Sequence, residues 1–292
     1  MALVASNGRW SASKAIDAAM KVHFYINEAK ERTRAAGDAL KVIAQQSGIE
    51  VVAASVADVL VAIGGDGTLL RAVREFPGIP VLGLNLGGLG YLANIEEKDF
   101  EKAMEALVRG DYRVSNRTAL AVRKVGTEEW GFALNDVVIM REMSGQAALL
   151  DLSIDGHSAT HYFADGLVIA TPTGSTAYSL SAGGPVLMPD SASFVVTPMN
   201  PHALGVRPMV VSDDVKFIVT SRRRETGEAE KIGVYADGCV AFMLDGDESL
   251  EIRKSELAVR MLELVGHDPY EVLARKLGWS GARVKLAGAR ED

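Results

Sequence analysis

A carboxylate stands inside a glycine loop at Gly64-Gly65-Asp66-Gly67-Thr68. The apolar run Val59-Leu60-Val61-Ala62-Ile63 precedes it, and the helix-like stretch Leu69-Leu70-Arg71-Ala72-Val73-Arg74 follows. Open α/β sheets bind ligands at the carboxyl ends of their strands. Glycines there let the backbone approach a pyrophosphate, and the following helix offers free N–H donors. The charge of Asp66 would repel a phosphate, so a carboxylate at this place makes sense if it meets a hydroxyl group or a magnesium ion. The alternative is a tight strand-to-helix turn in which Asp66 caps the helix. A second loop, Gly87-Gly88-Leu89-Gly90, follows the run Val81 to Leu84. Alone it is an ordinary turn; beside the first loop it suggests two adjacent strand ends facing one ligand.

The longest informative stretch runs from Asp165 through Gly166-Leu167-Val168-Ile169-Ala170-Thr171-Pro172-Thr173-Gly174-Ser175-Thr176-Ala177-Tyr178-Ser179-Leu180-Ser181 to Gly183-Gly184-Pro185. A strand passes into a loop dense with hydroxyls and glycines that carries one aromatic ring. Such a loop supplies short donors and acceptors, and a ring against which a base or ribose can pack. A turn rich in small residues is the competing explanation for any one or two of these positions, and it fails for a run of this length.

These residues sit on two textures. From Lys21 to Gly110, strand-like runs alternate with helical patterns: strands at Val22–Ile26, Ile49–Ala53, Val59–Ile63 and Ile79–Leu84, helices at Ala35–Gln46 and Asp99–Val108. That alternation predicts an α/β domain with a mostly parallel, Rossmann-like sheet. After Arg113 strand-length runs recur with turn signals between them: Ala119–Val125, Phe132–Met140, Leu149–Ile154, Leu167–Thr171, Ser193–Thr197, Val215–Thr220 and Ile232–Tyr235. Asp155-Gly156, Asp237-Gly238 and Asp245-Gly246 are hairpin-type dipeptides. An all-β second domain, a sandwich, is expected, then a short helix at Tyr270–Trp279. The expected divisions are an N-terminal extension over residues 1–20, the α/β domain over 21–115, the sandwich over 116–264 and a helix with tail over 265–292.

Composition bounds the function. The chain has 292 residues, 48% hydrophobic and 24% charged, enough for a substantial core. A net charge of −7 disfavours nucleic acid, which demands a basic footprint. Cys239 is the only cysteine, so no intrachain disulfide can form and a reducing compartment is expected. No apolar stretch approaches a membrane span, and Ala2-Leu3-Val4-Ala5 is too brief for a secretory signal. A cytoplasmic protein is the expectation.

The Gly64–Thr68 loop, Asn135-Asp136 after a strand, and the Asp165–Pro185 run resemble the NAD kinase family in order and approximate spacing, over about residues 21–279. The resemblance implies an α/β N-terminal domain and a β-sandwich C-terminal domain with the site between them. The activity it implies is phosphorylation of the 2′-hydroxyl on the adenosine ribose of NAD. Asp66 would accept the proton of that hydroxyl or orient it, with Gly67 beside it and Arg71 facing the ligand one helical turn on. Gly64, Gly65, Gly67 and Thr68 would form the phosphate-binding loop. Asn135 and Asp136 would bind the adenosine portion, Asp165 the other half of the dinucleotide, and Thr176, Ala177, Tyr178 and Ser181 would line the adenine and ribose pocket. ATP or another phosphoryl donor would approach from the Gly64-Gly65 side with Mg²⁺, for which no protein ligands are assigned. A homo-dimer or homo-tetramer is also implied. Two positions depart from the family pattern: Asp136 stands where Glu is common, and Cys239 where Gln often follows Asp-Gly.

A diacylglycerol or sphingoid-base kinase would share the first loop but has no use for the Thr171–Ser181 run, and a non-catalytic NAD(P) sensor would share the pocket without transferring phosphate. Other residues are set aside. His23, His157, His161, His202 and His267 show no metal-ligand spacing on a clear helix. Ser175 and Ser181 lack a histidine partner at a diagnostic position for a hydrolase triad. Arg222-Arg223-Arg224 reads as a solvated loop.

Overall fold

The computed structural model describes residues 19–27, 30–88, 90–142, 146–223 and 231–279. The expected extension lies almost wholly outside these residues, as do Leu89 of the second glycine loop, Arg224 and the tail beyond Trp279.

In chain order the first elements are β1 (Lys21–Ile26), α1 (Glu31–Gln46), β2 (Glu50–Val51), β3 (Val59–Gly64), α2 (Asp66–Glu75), β4 (Val81–Asn85), β5 (Ile95–Glu96), α3 (Phe100–Arg109) and β6 (Tyr112–Arg117). There follow β7 (Leu120–Lys124), β8 (Gly131–Ala133), β9 (Asp136–Arg141), β10 (Ala148–Ile154), β11 (His157–Ala164), β12 (Gly166–Ala170), the single turn α4 (Tyr178–Ser181), β13 (Ser193–Met199), β14 (Met209–Ser212), β15 (Phe217–Ser221), β16 (Lys231–Ala236), β17 (Cys239–Asp245) and β18 (Ser249–Lys254). The last elements among the described residues are β19 (Val259–Leu264) and α5 (Pro269–Leu277).

Two compact units result: residues up to Ser115 with those from Arg260, and Asn116–Val259. In the first, the strand order is β2-β1-β3-β4-β19-β6, with β5 also on β4. β1, β2, β3, β4, β5 and β19 pair in parallel wherever they adjoin. The central strands β3 and β4 are buried almost throughout, as parallel strands covered on both faces must be. One core joins Val61, Ile63, Leu82 and Leu84 to Leu40 of α1 and Phe100, Met104 and Leu107 of α3. Gly110, with φ of 73°, ends α3 in the left-handed conformation. Asp268 caps α5 by accepting the N–H of Tyr270 at 2.9 Å, ahead of Pro269 at the first helical position.

The second unit is a sandwich of two six-stranded sheets, β11-β10-β15-β18-β7-β8 and β14-β13-β12-β9-β16-β17, antiparallel where strands pair. Their inner faces share one core, with Leu120, Leu150 and Phe217 from one sheet and Ile139, Ile169 and Phe194 from the other.

The structure departs from the sequence reading in three places. Val259–Leu264, placed by sequence in the sandwich, is β19 and lies between β4 and β6 of the first unit's sheet. Its apolar run satisfies either sheet, and only parallel pairing of Met261 with Val81 decides. Asp155-Gly156 and Asp237-Gly238 do close hairpins, with both residues of each at positive φ. Asp245-Gly246 does not: β17 pairs with β16 and β18 with β15 and β7, so this turn carries the chain from one sheet to the other. Finally, Phe132–Met140 is two strands, β8 in one sheet and β9 in the other, broken at Leu134-Asn135.

Candidate active site

In the first unit the two glycine loops stand on neighbouring parallel strands, with Gly64 of β3 in register with Asn85 of β4. Gly64 has φ of 154°, and a Cβ there would press into the side chain of Thr68, which is buried beneath it. Gly65 and Gly67 are exposed, as is Arg71 on α2, whose charge acts on the Tyr25 hydroxyl.

Asp66 is the first residue of α2, but it does not cap the helix. Its Oδ1 accepts the backbone N–H of Leu92 at 3.0 Å and of Ala93 at 2.9 Å, and its Oδ2 accepts that of Tyr91 at 2.9 Å. Asn85 completes the arrangement. Its amide donates to the carbonyls of Gly88 (2.8 Å) and Ala93 (3.0 Å), and its Oδ1 accepts the N–H of Gly87 at 2.9 Å. Gly90 must be glycine: a Cβ would collide with Asp66 Oδ1 and the Ala93 carbonyl. The second loop is thus folded around the carboxylate of the first. Burial, and then the neighbouring charge of Asp66, raises the pKa of the Tyr91 phenol.

The far side of the same segment meets the C-terminal elements of its own unit. Asn94 lies 3.0 Å from His267 Nδ1, Arg275 donates to Glu96 at 3.1 Å, and the Lys276 ammonium stands 5.3 Å from the centre of the Tyr91 ring.

In the second unit the break between β8 and β9 is the organising feature. Leu134 and Asn135 carry the chain from one sheet to the other, where no strand ladder serves their backbone groups. The Asp237 carboxylate accepts the N–H of Leu134 (2.8 Å, Oδ2), Asn135 (2.7 Å, Oδ1) and Asp136 (3.3 Å, Oδ1). Thr171 serves the carbonyls: its hydroxyl donates to Leu134 at 2.6 Å and its N–H to Asn135 at 2.9 Å. Gly174 packs flush on Asn135, leaving no space for a Cβ. The Oδ1 of the Asn135 side chain is buried without a hydrogen-bond partner among the described residues.

Asp136 is buried, and its carboxyl is pushed up to about 7, chiefly by burial and then by the charge of Asp237; a backbone hydrogen bond from Tyr178 acts the other way. The hydroxyl-rich run divides by exposure. Thr171, Thr173, Ser175 and Ser179 are buried. Ser175 Oγ donates to the Pro172 carbonyl at 2.7 Å and accepts the Leu187 N–H at 2.9 Å, and Ser179 and Thr197 share a hydrogen bond of 2.8 Å. Thr176 and Ala177 are half-buried and Tyr178 and Ser181 exposed, so the four positions assigned to the pocket are ones the packing leaves accessible.

Asp165 stands apart. It directly precedes Gly166, which pairs with Met140, whereas Asp136 pairs with Ala170 at the other end of β12, about 17 Å away at strand rise. Its Oδ2 accepts from Asn200 at 2.9 Å and its Oδ1 from Arg141 at 2.8 Å, and these two contacts hold its carboxyl below the usual range.

Sequence reasoning missed Asn85 and Asp237. Asn85 ends a strand next to a glycine loop, which was a usable signal. Asp237 read only as half of a hairpin dipeptide, and its acceptance of N–H groups about a hundred residues away leaves no local trace. Among the residues set aside, His161 and Arg222 both hold Asp151 at 2.5 Å, and Arg223 faces Asp247. Among the described residues no three His, Cys, Asp or Glu side chains converge to hold an ion, and no helix is long and apolar enough to cross a membrane.

A parallel sheet ending in paired glycine loops around one carboxylate, together with a sandwich that carries a hydroxyl-rich loop, defines a two-unit class of protein, one α/β and one all-β. Comparison with known proteins narrows it. The model of the ATP-NAD kinase N-terminal domain matches residues 9–112, and that of the ATP-NAD kinase C-terminal domain matches residues 134–264. An NAD kinase of Syntrophotalea carbinolica is 38% identical over 227 residues, covering 76% of this chain and 78% of its own. One of Chlorobium limicola is 40% identical over 226 residues, 77% of each. In fold, the chain resembles yeast NADH kinase complexed with NADH, with a TM-score of 0.84 at 22% identity over 93% of this chain and 91% of the other. It also resembles an NAD kinase from Archaeoglobus fulgidus in complex with ATP, with a TM-score of 0.69 at 26% identity over 89% and 99%. The chain belongs to the NAD kinase family.

Proposed function

We propose that this chain transfers the γ-phosphoryl group of ATP to the 2′-hydroxyl on the adenosine ribose of NAD, giving NADP and ADP. The observation that carries the dinucleotide assignment is the buried, unpartnered Oδ1 of Asn135. Its backbone is fully engaged by Asp237 and Thr171, so the side chain is held in place for a donor that the described residues do not supply. An acceptor left in that state costs about 1–3 kcal/mol, which a ligand N–H or O–H recovers. Asp136 beside it and the accessible Tyr178 complete the adenosine contacts, with Thr176, Ala177 and Ser181 around them. Asp165 serves the other half of the dinucleotide, at a separation of strand length.

Phosphoryl transfer needs positioning and charge neutralisation more than covalent chemistry from the protein. The 2′-oxygen attacks the γ-phosphorus, the bond to the ADP oxygen breaks, and the hydroxyl proton passes to Asp66. Oδ2 suits that role: it accepts one backbone N–H where Oδ1 accepts two, which leaves it a lone pair for the hydroxyl. Gly64, Gly65, Gly67 and Thr68 shape the loop that the donor phosphates approach, and Arg71 reaches the ligand from α2.

Mg²⁺ accompanies the donor in this reading. The described residues form no cage for it, and the ion is commonly held by substrate phosphates with one or two carboxylates. Bound there, it would neutralise charge on the triphosphate. A cytoplasmic homo-dimer or homo-tetramer belongs to the same proposal.

Incubation with NAD, ATP and Mg²⁺ should yield NADP carrying its new phosphate on the 2′-oxygen, and diacylglycerol offered in place of NAD should not be phosphorylated. Tight NAD binding without NADP would leave a sensor, and turnover of the lipid would overturn the assignment.

A further inference from the structure

Asp237 lies outside every motif that carries the proposed chemistry, yet it touches Asn135 and Asp136 of the adenosine site and Leu134 just before them. It occupies the first position of the β16–β17 turn, where φ values of 48° for Asp237 and 75° for Gly238 fold the hairpin back tightly. The hairpin is seated on β9 by pairing of Ala236 with Val137, and the Asp237 N–H donates to the Asp136 carbonyl at 3.1 Å. From there its carboxylate reaches the N–H groups of Leu134, Asn135 and Asp136.

Those three donors fall where the chain leaves one sheet of the sandwich for the other. Leu134 and Asn135 belong to neither strand, and buried N–H groups without partners are costly. A neutral acceptor would satisfy one or two of them. A carboxylate has two oxygens and no proton to place among the donors, and hydrogen bonds to a charged acceptor are the stronger kind.

We propose that Asp237 is a positioning residue for NAD: its carboxylate fixes the strand break that presents Asn135 and Asp136 to the dinucleotide. The inference rests on the proposed NAD kinase reaction. Asp237 acts through the two residues in front of it and does not itself touch the reacting atoms.

The same contact has an electrical consequence. The titratable group facing the Asp136 carboxyl is Asp237, and the other polar contact is the backbone N–H of Tyr178 at the start of α4. Removing the Asp237 charge therefore lets Asp136 ionise at lower pH, a change that no purely mechanical role would produce.

The test compares Asp237→Asn, Asp237→Glu and the parent enzyme in steady-state kinetics and NAD titrations between pH 5 and 9 (about the range in which a carboxyl near neutrality titrates). Asp237→Asn keeps the size of the side chain, but its NH₂ must face a backbone N–H. It should raise KM for NAD about tenfold or more, with KM for ATP within about twofold of the parent. The inflection of NAD affinity near neutral pH should move down by about half a unit or more. Asp237→Glu keeps the charge and should retain that inflection. Unchanged KM for NAD in folded Asp237→Asn, or an inflection that stays in place, would overturn the proposal, as would equal losses in kcat and both KM values. The two readings separate cleanly: a parent enzyme that makes no NADP sinks the proposed function, whereas an active parent with an indifferent Asp237→Asn sinks only the role of Asp237.

Discussion

Oδ2 of Asp66 accepts the backbone N–H of Tyr91 at 2.9 Å, across the gap between two neighbouring strand ends. With Oδ1 on Leu92 and Ala93, one side chain both faces the proposed reaction and fixes the loop beside it. The amide of Asp66→Asn would set an NH₂ against at least one of those N–H groups. This substitution should lower kcat more than about 100-fold, the scale of a lost general base. It should also destabilise the fold by about 1–3 kcal/mol for the donors left unpaired. Stopped-time NADP assays and urea melts read the two effects separately; near-normal stability would show that the loop does not depend on the carboxylate.

Gly174 lies against the backbone of Asn135 with no room for a side chain. Gly174→Ala must push the Thr171–Ser175 turn away from the strand break. Titration should show NAD affinity falling about tenfold or more, a change of at least about 1.4 kcal/mol. Unaltered affinity would mean that the break holds its shape without this contact.

The hydroxyl-rich run should divide by mutation as it does by exposure. Tyr178 is 43% exposed, and its contact with Asp136 is made by the backbone, which Tyr178→Ala retains. That variant should melt within a degree or two of the parent but bind NAD more weakly, by the about 1–3 kcal/mol typical of a base stacked on an aromatic ring. Ser175→Ala should do the reverse. It leaves the Leu187 N–H without its acceptor and costs about 1–3 kcal/mol of stability. Thermal melts and calorimetric NAD titrations of the two variants provide the comparison.

A pH dependence of stability follows from Asp136. Its pKa rises from 3.8 to about 7 on folding, first through burial and then through Asp237. The folded state therefore holds a proton that the unfolded state has released. Its contribution to stability is fully present below pH about 4, declines as pH rises, and is lost above pH about 7. Asp136→Asn should remove that decline, so urea midpoints measured from pH 4.5 to 8 should fall less steeply in the variant. Parallel profiles would place the Asp136 pKa near its ordinary value.

The architecture was legible because alternation of apolar runs with helical spacing, then strand after strand, admits few arrangements. Val59–Ile63 could hardly be anything but a buried parallel strand. Two causes account for the failures, the first being that sequence shows a strand but not its partners. Val259–Leu264 is as apolar as its neighbours in the sandwich, and only pairing with β4 assigns it elsewhere. Strand β11, His157–Ala164, is mostly polar and exposed along an edge, so it lacks the apolar alternation by which strands are recognised. Asp66 was visible as a carboxylate in the wrong company for a phosphate loop, but the N–H donors it accepts, on Tyr91, Leu92 and Ala93, lie on the following strand's loop. The four positions assigned to the pocket lie among the accessible ones of the long motif; the reason its other hydroxyls are there, to hold the turn together, required the fold.

The most direct measurement is a single-turnover assay with NAD saturating and enzyme in excess over ATP and Mg²⁺, following phosphate appearance on the 2′-oxygen for the parent and for Asp66→Asn. The parent should form 2′-phosphorylated NAD within the first turnover, and the variant should bind NAD with affinity within about tenfold while its transfer rate falls more than about 100-fold. Transfer at near-parental rate in the variant, or a phosphate placed on another hydroxyl, would contradict the assignment of Asp66 to that oxygen.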